Sequence, residues 1–298
     1  MHHSASTNKV TAKDGRDQRS APYLRLVKPE RKLPRVLSAR DPDLIRKIYP
    51  YLTKISDHYF RAEVSGMENM THEAALVVST HNGSINFPDL YCTMAAFWRR
   101  FGIETPAYGL MHKLAFKIPV LGNLLTKMGA LPASRKNAEM VLDEGFPLLV
   151  CPGGDEDALK PYADRHRINF GKRRGFIRLA IRKQVPIVPV ISVGAHETIF
   201  ILNNGCKTAR LFRIDKLLRV KSVPIAMSFP FGITIAGLMS IPLPSKIQIQ
   251  VLPPIHLNVD AEKENDEEVV EKCFRTVCST MQDALDLLAE KRRWPLLG

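Results

Sequence analysis

The sequence predicts an α/β fold: a mixed, largely parallel central sheet flanked by helices, with an N-terminal helical segment and a C-terminal amphipathic helix. Three observations carry this. Short apolar runs ("AALVVST", "PAYGL", "GALPA", "FPLLVCP", "VPIVPVISV") alternate with stretches of helical spacing, the pattern of a sheet covered on its faces by helices. A length of 298 residues, 45% hydrophobic, is enough for one large domain with added terminal segments. The polar motifs fall at the ends of apolar runs, where the functional loops of α/β sheets gather.

Taken in order, "MHHSASTNKVTAKDGRDQRS" is polar, charged and without periodicity, so about the first twenty residues read as disordered. With no apolar core, this stretch reads as neither signal peptide nor anchor. Leu44, Ile45, Ile48, Tyr51, Leu52, Ile55 and Tyr59 have helical spacing after an Asp-Pro start, with a bend expected at Pro50. "RAEVSG" and "AALVVST" read as strands, and "FPDLYCTMAAFWRRF" as a helix from near Pro88. Residues 223–244 carry no charge, a length that could span a bilayer, but prolines and glycines interrupt them. They are expected to form an irregular apolar segment on the core or at a membrane interface. "KIQIQVLPPIHL" is a closing strand. A final helix from about Glu267 to Arg292 carries the stripe Val270, Phe274, Val277, Met281, Leu285 and Leu288.

Charge narrows the partners. The net charge is +13, and residues 1–40 hold ten Lys/Arg against three Asp/Glu. No nucleic-acid-binding signature accompanies it, so nucleic acid is set aside in favour of anionic lipid or a phosphate-bearing substrate. Five cysteines without a CxxC pair argue against a disulfide framework and a zinc site, and fit a reducing cytoplasm. No metal ligand set is read from the sequence.

The chemistry-bearing motifs are "THNGSINFPD", with Asp89 eight residues after His81, and "CPGGDEDAL", with Gly153, Gly154 and Asp157. A histidine beside a carboxylate suits base catalysis. Imidazole titrates near neutral pH, and a carboxylate on its second nitrogen fixes the tautomer. Alone, His81 reads first as a turn or structural histidine, and the neighbouring motifs reverse that order. Arg135 in "GALPASRKNA" has a planar fork able to grip a phosphate or carboxylate, and otherwise opens a helix at the surface. Lys172, Arg173 and Arg174 in "FGKRRGFIRLA" surround a helix start, as an anion site or a solvated face.

Together these blocks resemble the glycerolipid/lysophospholipid acyltransferase superfamily, and particularly its monoacylglycerol-acyltransferase-like branch, from about Glu63 to Leu257. The commonest form of the family places the Asp five residues after the His. That position is Asn86 here, so Asp89 or Asn86 is the partner of His81, and Asp89 is favoured. The third block lacks the Glu and Arg of phosphate-accepting relatives and is closer to the Pro-Gly-Gly form of enzymes acting on neutral glycerides. Its added carboxylates disfavour a phosphate nearby.

The resemblance implies an acyltransferase domain over 63–257, and composition and spacing add a disordered basic tail over 1–22, a helical segment over 23–62 and a packed C-terminal helix over 258–298. The resemblance also implies a membrane-associated O-acyltransferase moving a fatty acyl group from acyl-CoA to the hydroxyl of a glycerolipid or related lipid alcohol, with no acyl-enzyme. His81 and Asp89 would be catalytic. Arg135, Gly153, Gly154, Asp157, Lys172, Arg173 and Arg174 would bind substrate. Acyl-CoA is a co-substrate and no cofactor is bound. The alternatives are a lysophosphatidic acid acyltransferase or a catalytically silent lipid-binding homologue. Basic and apolar residues in "MHKLAFKIPVLGNLLTKMG" suggest an interfacial helix, and with the basic N-terminal segment they imply a peripheral position on an anionic, cytoplasmic membrane surface.

Overall fold

The computed structural model describes residues 33–203, 225–235, 241–294 and 296–298. The tail over 1–22, the start of the 23–62 segment, Cys206 and residues 223, 224 and 236–240 of the 223–244 run lie outside these residues.

A seven-stranded sheet forms the centre, in the order β1-β10-β6-β2-β5-β3-β4. Its strands are β1 (Glu63–Ser65), β2 (Leu76–Ser79), β3 (Tyr108–Met111), β4 (Ala130–Pro132), β5 (Leu148–Val150), β6 (Ile187–Val193) and β10 (Gln248–Val251). Pairing is parallel throughout except between β10 and β6. Every residue of β2 and β6 is buried. This is why these two strands read as unbroken apolar runs rather than alternating ones: both faces are covered.

The two faces hold separate cores. Leu76, Val78, Ile187 and Ile191 point to one, where α4 (Arg135–Asp143), α6 (Gly175–Lys183) and α7 (Glu267–Glu290) lie. Val77, Val188 and Val190 point to the other, with α1 (Pro42–Lys54) and α2 (Pro88–Phe101). Helix α7 begins where Asp266 accepts from the amides of Glu268 and Val269, a cap worth about 1 kcal/mol. It buries Val270, Phe274, Val277, Met281 and Leu285 of the expected stripe, with Leu288 partly buried. Helix α1 runs through Pro50 and continues into a π-helical turn at Ile55–Tyr59.

One expectation is changed. Residues 225–235 of the 223–244 run are not irregular. They form β8 (Ile225–Ser228) and β9 (Gly232–Ile235), which join β7 (Phe200–Asn203) in a separate antiparallel sheet of order β7-β8-β9. Ala226 packs inward on Ile199, Ile201 and Leu159, while the directly paired Met227 and Ile233 face outward. Apolar side chains on both faces hide the two-residue period that marks a strand.

Candidate active site

Strands β6, β2, β5 and β3 are neighbours and mutually parallel, so their C-terminal ends share one edge. His81 follows β2, the Pro-Gly-Gly turn follows β5, and Gly194 to Thr198 follow β6. Strand order thus gathers onto one edge residues that lie far apart in the chain.

The loop carrying His81 is drawn in tightly. At Gly83, φ is +74°, and a Cβ would stand 2.6 Å from Pro88 Cδ and 2.9 Å from the Ala195 carbonyl oxygen. This explains the glycine after Asn82. A 3-10 turn, Ser84–Asn86, leads to Phe87, a non-glycine residue at φ 44°. Such a conformation costs on the order of 1–3 kcal/mol and persists where surrounding structure enforces it. The Phe87 ring meets the His81 imidazole edge-on at 4.8 Å between centroids.

Two carboxylates flank this loop. Asp157, in the short helix α5 (Gly154–Ala158), accepts the backbone N–H of His81 at 2.7 Å through Oδ2. Its Oδ1 takes the ammonium of Lys160 at 2.9 Å, and Lys160 also donates to the Arg167 carbonyl. Burial pushes the Asp157 carboxyl up, opposed by Lys160 and the His81 amide. Gly153 is a glycine because a Cβ would lie 2.3 Å from Asp157 Cβ and 2.5 Å from the Asn169 carbonyl oxygen.

Asp89, in the first turn of α2, is wholly buried. Its Oδ2 accepts from Asn82 Nδ2 at 3.0 Å and from Ser192 Oγ at 2.6 Å. Burial raises its carboxyl to about 6, with the Ser192 and Asn82 hydrogen bonds opposing. Burial and then the charge of Lys160 lower His81 to about 4, so the imidazole is neutral near pH 7. His81 and Asp89 make no hydrogen bond. His81 Nδ1, Asn82 Oδ1, Ser84 Oγ and Asp89 Oδ1 are all buried and without a hydrogen-bond partner. Unsatisfied buried polar atoms are rare in folded proteins, and four within nine residues single this loop out as the candidate site. The surroundings of Glu197 differ in kind, because there Arg165, His166 and Arg292 ring a carboxylate at 3.4–3.7 Å.

The remaining expected residues divide. Arg173 turns onto the Pro-Gly-Gly turn, donating to the carbonyls of Pro152 and Gly153 and to Asp155. Arg174 points to α7, where it pairs with Glu271 at 2.7 Å and lies over the Phe274 ring. Lys172 is exposed. Arg135 opens α4 at the surface, its Nε engaged by Glu139. Asn86 lies in the 3-10 turn between His81 and Asp89. The amide of Gly154 donates to the Cys151 carbonyl at 3.1 Å. Asn82, Phe87, Lys160 and Ser192 were not read as site residues from the sequence. Of these Ser192 left a signal, as the only polar residue in the run "IVPVISV" of β6.

The sequence profile described as "Diacylglycerol acyltransferase" matches residues 33–294. The chain belongs to the diacylglycerol acyltransferase family. An uncharacterized protein of Mycobacterium tuberculosis (strain ATCC 25618 / H37Rv) is 32% identical over 252 residues, which is 83% of this chain and 66% of that protein. A Bos taurus protein described as "DGAT1/2-independent enzyme synthesizing storage lipids" is 27% identical over 234 residues, covering 78% of this chain and 65% of its own length. The chain therefore spans just under two thirds of the length of these curated relatives. In fold, it is similar to the crystal structure of the 1-acyl-sn-glycerophosphate (LPA) acyltransferase from Thermotoga maritima. The TM-score is 0.51 at 18% identity, over 86% of this chain and 85% of that one. The resemblance to the glycerolipid acyltransferase superfamily holds in family and in fold.

Proposed function

We propose that this member of the family is an O-acyltransferase that moves a fatty acyl group from acyl-CoA to the hydroxyl of a glycerolipid or related lipid alcohol at a membrane surface. The observation that carries the reading is the cluster of unpartnered buried polar atoms around a neutral histidine at the shared strand edge. His81 takes the proton of the acceptor hydroxyl as its oxygen attacks the thioester carbonyl. The C–S bond breaks and the departing thiolate of CoA recovers the proton, so no acyl-enzyme forms. Asp89 orients the imidazole. Both atoms of that pair, His81 Nδ1 and Asp89 Oδ1, lack other partners, so they can meet on substrate binding without breaking an existing hydrogen bond. Catalytic hydrogen bonds commonly tighten only in the substrate complex.

A neutral acceptor is favoured because the guanidinium of Arg173 is already taken by the turn and Asp155, and that turn is acidic. Arg135, with only Nε engaged, is the residue that would hold the phosphate of a lysophosphatidic acid acceptor, the second reading. Among the described residues no helix is long and apolar enough to cross a membrane. A peripheral position on the cytoplasmic face of a membrane forms part of the proposal, on the basic charge of the chain.

The test is transfer from labelled long-chain acyl-CoA to monoacylglycerol, diacylglycerol, lysophosphatidate and a long-chain alcohol, with wild type beside His81→Ala. A product on a neutral acceptor that falls at least about a hundredfold in the variant is expected. Product on lysophosphatidate alone would select the second reading. Lipid bound equally by both proteins, without turnover, would make the chain a lipid-binding protein.

A further inference from the structure

We infer that two exposed apolar elements, the β8–β9 hairpin and the segment from 113 to 127, are twin prongs that insert into an anionic phospholipid bilayer on either side of the His81 edge. The inference rests on the acyltransferase reading only for its choice of that edge as the working one.

The hairpin is apolar where it meets solvent. Phe229, Phe231 and Ile233 are exposed, Ile233 by 75%, and Met227 beside Ile233 is half exposed. Nothing in this face is charged between 225 and 235. On the other element, the 3-10 turn Lys113–Lys117 leads into α3 (Pro119–Lys127), and Leu114, Ile118 and Val120 are exposed, Val120 by 84%. Monomeric surfaces tolerate scattered apolar side chains, but several grouped on each of two elements mark interaction surfaces.

Topology places them. β7 and the small sheet continue from the C-terminal end of β6, and the segment 113–127 continues from the C-terminal end of β3. In the sheet order, β2 with His81 and β5 with the Pro-Gly-Gly turn stand between those two strands. Direct contacts tie the small sheet to the site. Leu159, just after α5, packs on Ile199, Ile201 and Ala226, and the Lys160 carbonyl meets His196 Nε2 at 2.9 Å. Both prongs therefore leave the edge on which His81 stands, one on each side of it.

Charge names the occupant. From 105 to 138 the chain has no Asp or Glu, and it carries Lys113, Lys117, Lys127, Arg135 and Lys136. Lys113 and Lys117 are exposed and form no ion pair among the described residues. Apolar side chains flanked by lysines match the boundary between acyl chains and anionic headgroups, with each nearby lysine worth about 1 kcal/mol there. A second copy seated on both prongs would close the edge between them, where an acceptor must enter.

The experiment uses the full chain, mixed with phosphatidylcholine vesicles with and without phosphatidylserine. Two variants are compared with wild type: Phe229→Ser/Phe231→Ser/Ile233→Ser, and Leu114→Ser/Ile118→Ser/Val120→Ser. Each is expected to weaken co-sedimentation with the anionic vesicles about tenfold or more, and to leave the thermal melt and the turnover of a water-dispersed short-chain acceptor unchanged. Wild-type binding should fall when phosphatidylserine is omitted. Unchanged vesicle binding in both variants overturns the inference, as does a wild-type dimer that the substitutions dissociate. Vesicle binding is read without turnover, so a chain that binds through these prongs yet transfers no acyl group fails the functional proposal alone.

Discussion

The two carboxylates beside the His81 loop are equally buried and live in opposite company. Asp157 faces the ammonium of Lys160 and the amide of His81, and so holds the loop as a charged staple. Asp89 faces only neutral donors, Asn82 and Ser192, and leaves one oxygen without a partner. The difference separates two roles that one sequence motif cannot. A fully paired charge fixes backbone, whereas a carboxylate kept short of partners remains free to act on something else. The first division to test is therefore stability against turnover.

The largest effect belongs to Lys160. Removing one member of a buried ion pair leaves an uncompensated charge, which costs about 3–5 kcal/mol, so Lys160→Met should lower the melting temperature sharply. Adding Asp157→Asn should restore part of that loss. Were Lys160→Met to melt like wild type while losing turnover, the staple would have to be reassigned to the chemistry.

Asp89→Asn should do the reverse. It keeps an acceptor for Asn82 and Ser192 but removes the charge, and turnover should fall about a hundredfold. Because the folded carboxyl sits at about 6, above its usual value of 3.8, ionisation is resisted in the fold. Wild type therefore loses stability through this group as pH rises from about 4 to about 6, by on the order of 3 kcal/mol. The variant should melt higher than wild type at pH 8, and the gap should close near pH 4. A variant less stable at pH 8 would break the contrast.

Ser192→Ala probes the same carboxylate more gently. Its hydroxyl is a donor that lowers Asp89, so its loss should move the acid limb of kcat/KM upward from about 6 and reduce the rate about tenfold. A purely structural serine would lower stability and leave the limb in place. Ser192→Thr, which keeps the hydroxyl, should restore the limb.

How much of this could be read in advance depends on the distance over which each signal acts. β2 and β6 were legible because burial on both faces requires an unbroken apolar run, and α7 because its stripe repeats along 24 residues. His81, Asp89, Gly153, Gly154 and Asp157 could be picked out because they sit in short motifs at strand ends, and the structure gathers them on one edge. The small sheet was not legible, since an exposed apolar face erases the alternation that would have announced β8 and β9. Ser192 and Lys160 were missed for a different reason. Their meaning lies in contacts across the fold, as with the 2.6 Å bond that joins Ser192 to a residue 103 positions earlier. Arg173 shows the converse. Its position beside the other basic residues suggested an anion site, and its guanidinium instead ties down the turn.

A third carboxylate sharpens the comparison at its weakest end. Asp155 is exposed, pairs with Arg173 at 2.8 Å, and is the acidic group whose charge raises the His81 imidazole against burial and Lys160. An exposed pair contributes about 0–1 kcal/mol, so Asp155→Asn should barely move the melting temperature. Its field still reaches the histidine. Removing the negative charge should shift His81 slightly further below about 4, a change readable in an imidazole NMR titration. Salt screens interactions between solvent-facing charges beyond a Debye length of about 10 Å at 0.1 M, shrinking to about 3 Å at 1 M, and screens buried ones much less. The shift should therefore fade at high salt, while the effects of Asp89 and Asp157, both out of reach of solvent, persist. If salt left the Asp155 shift untouched and erased the Asp89 one, burial would not be what separates these carboxylates.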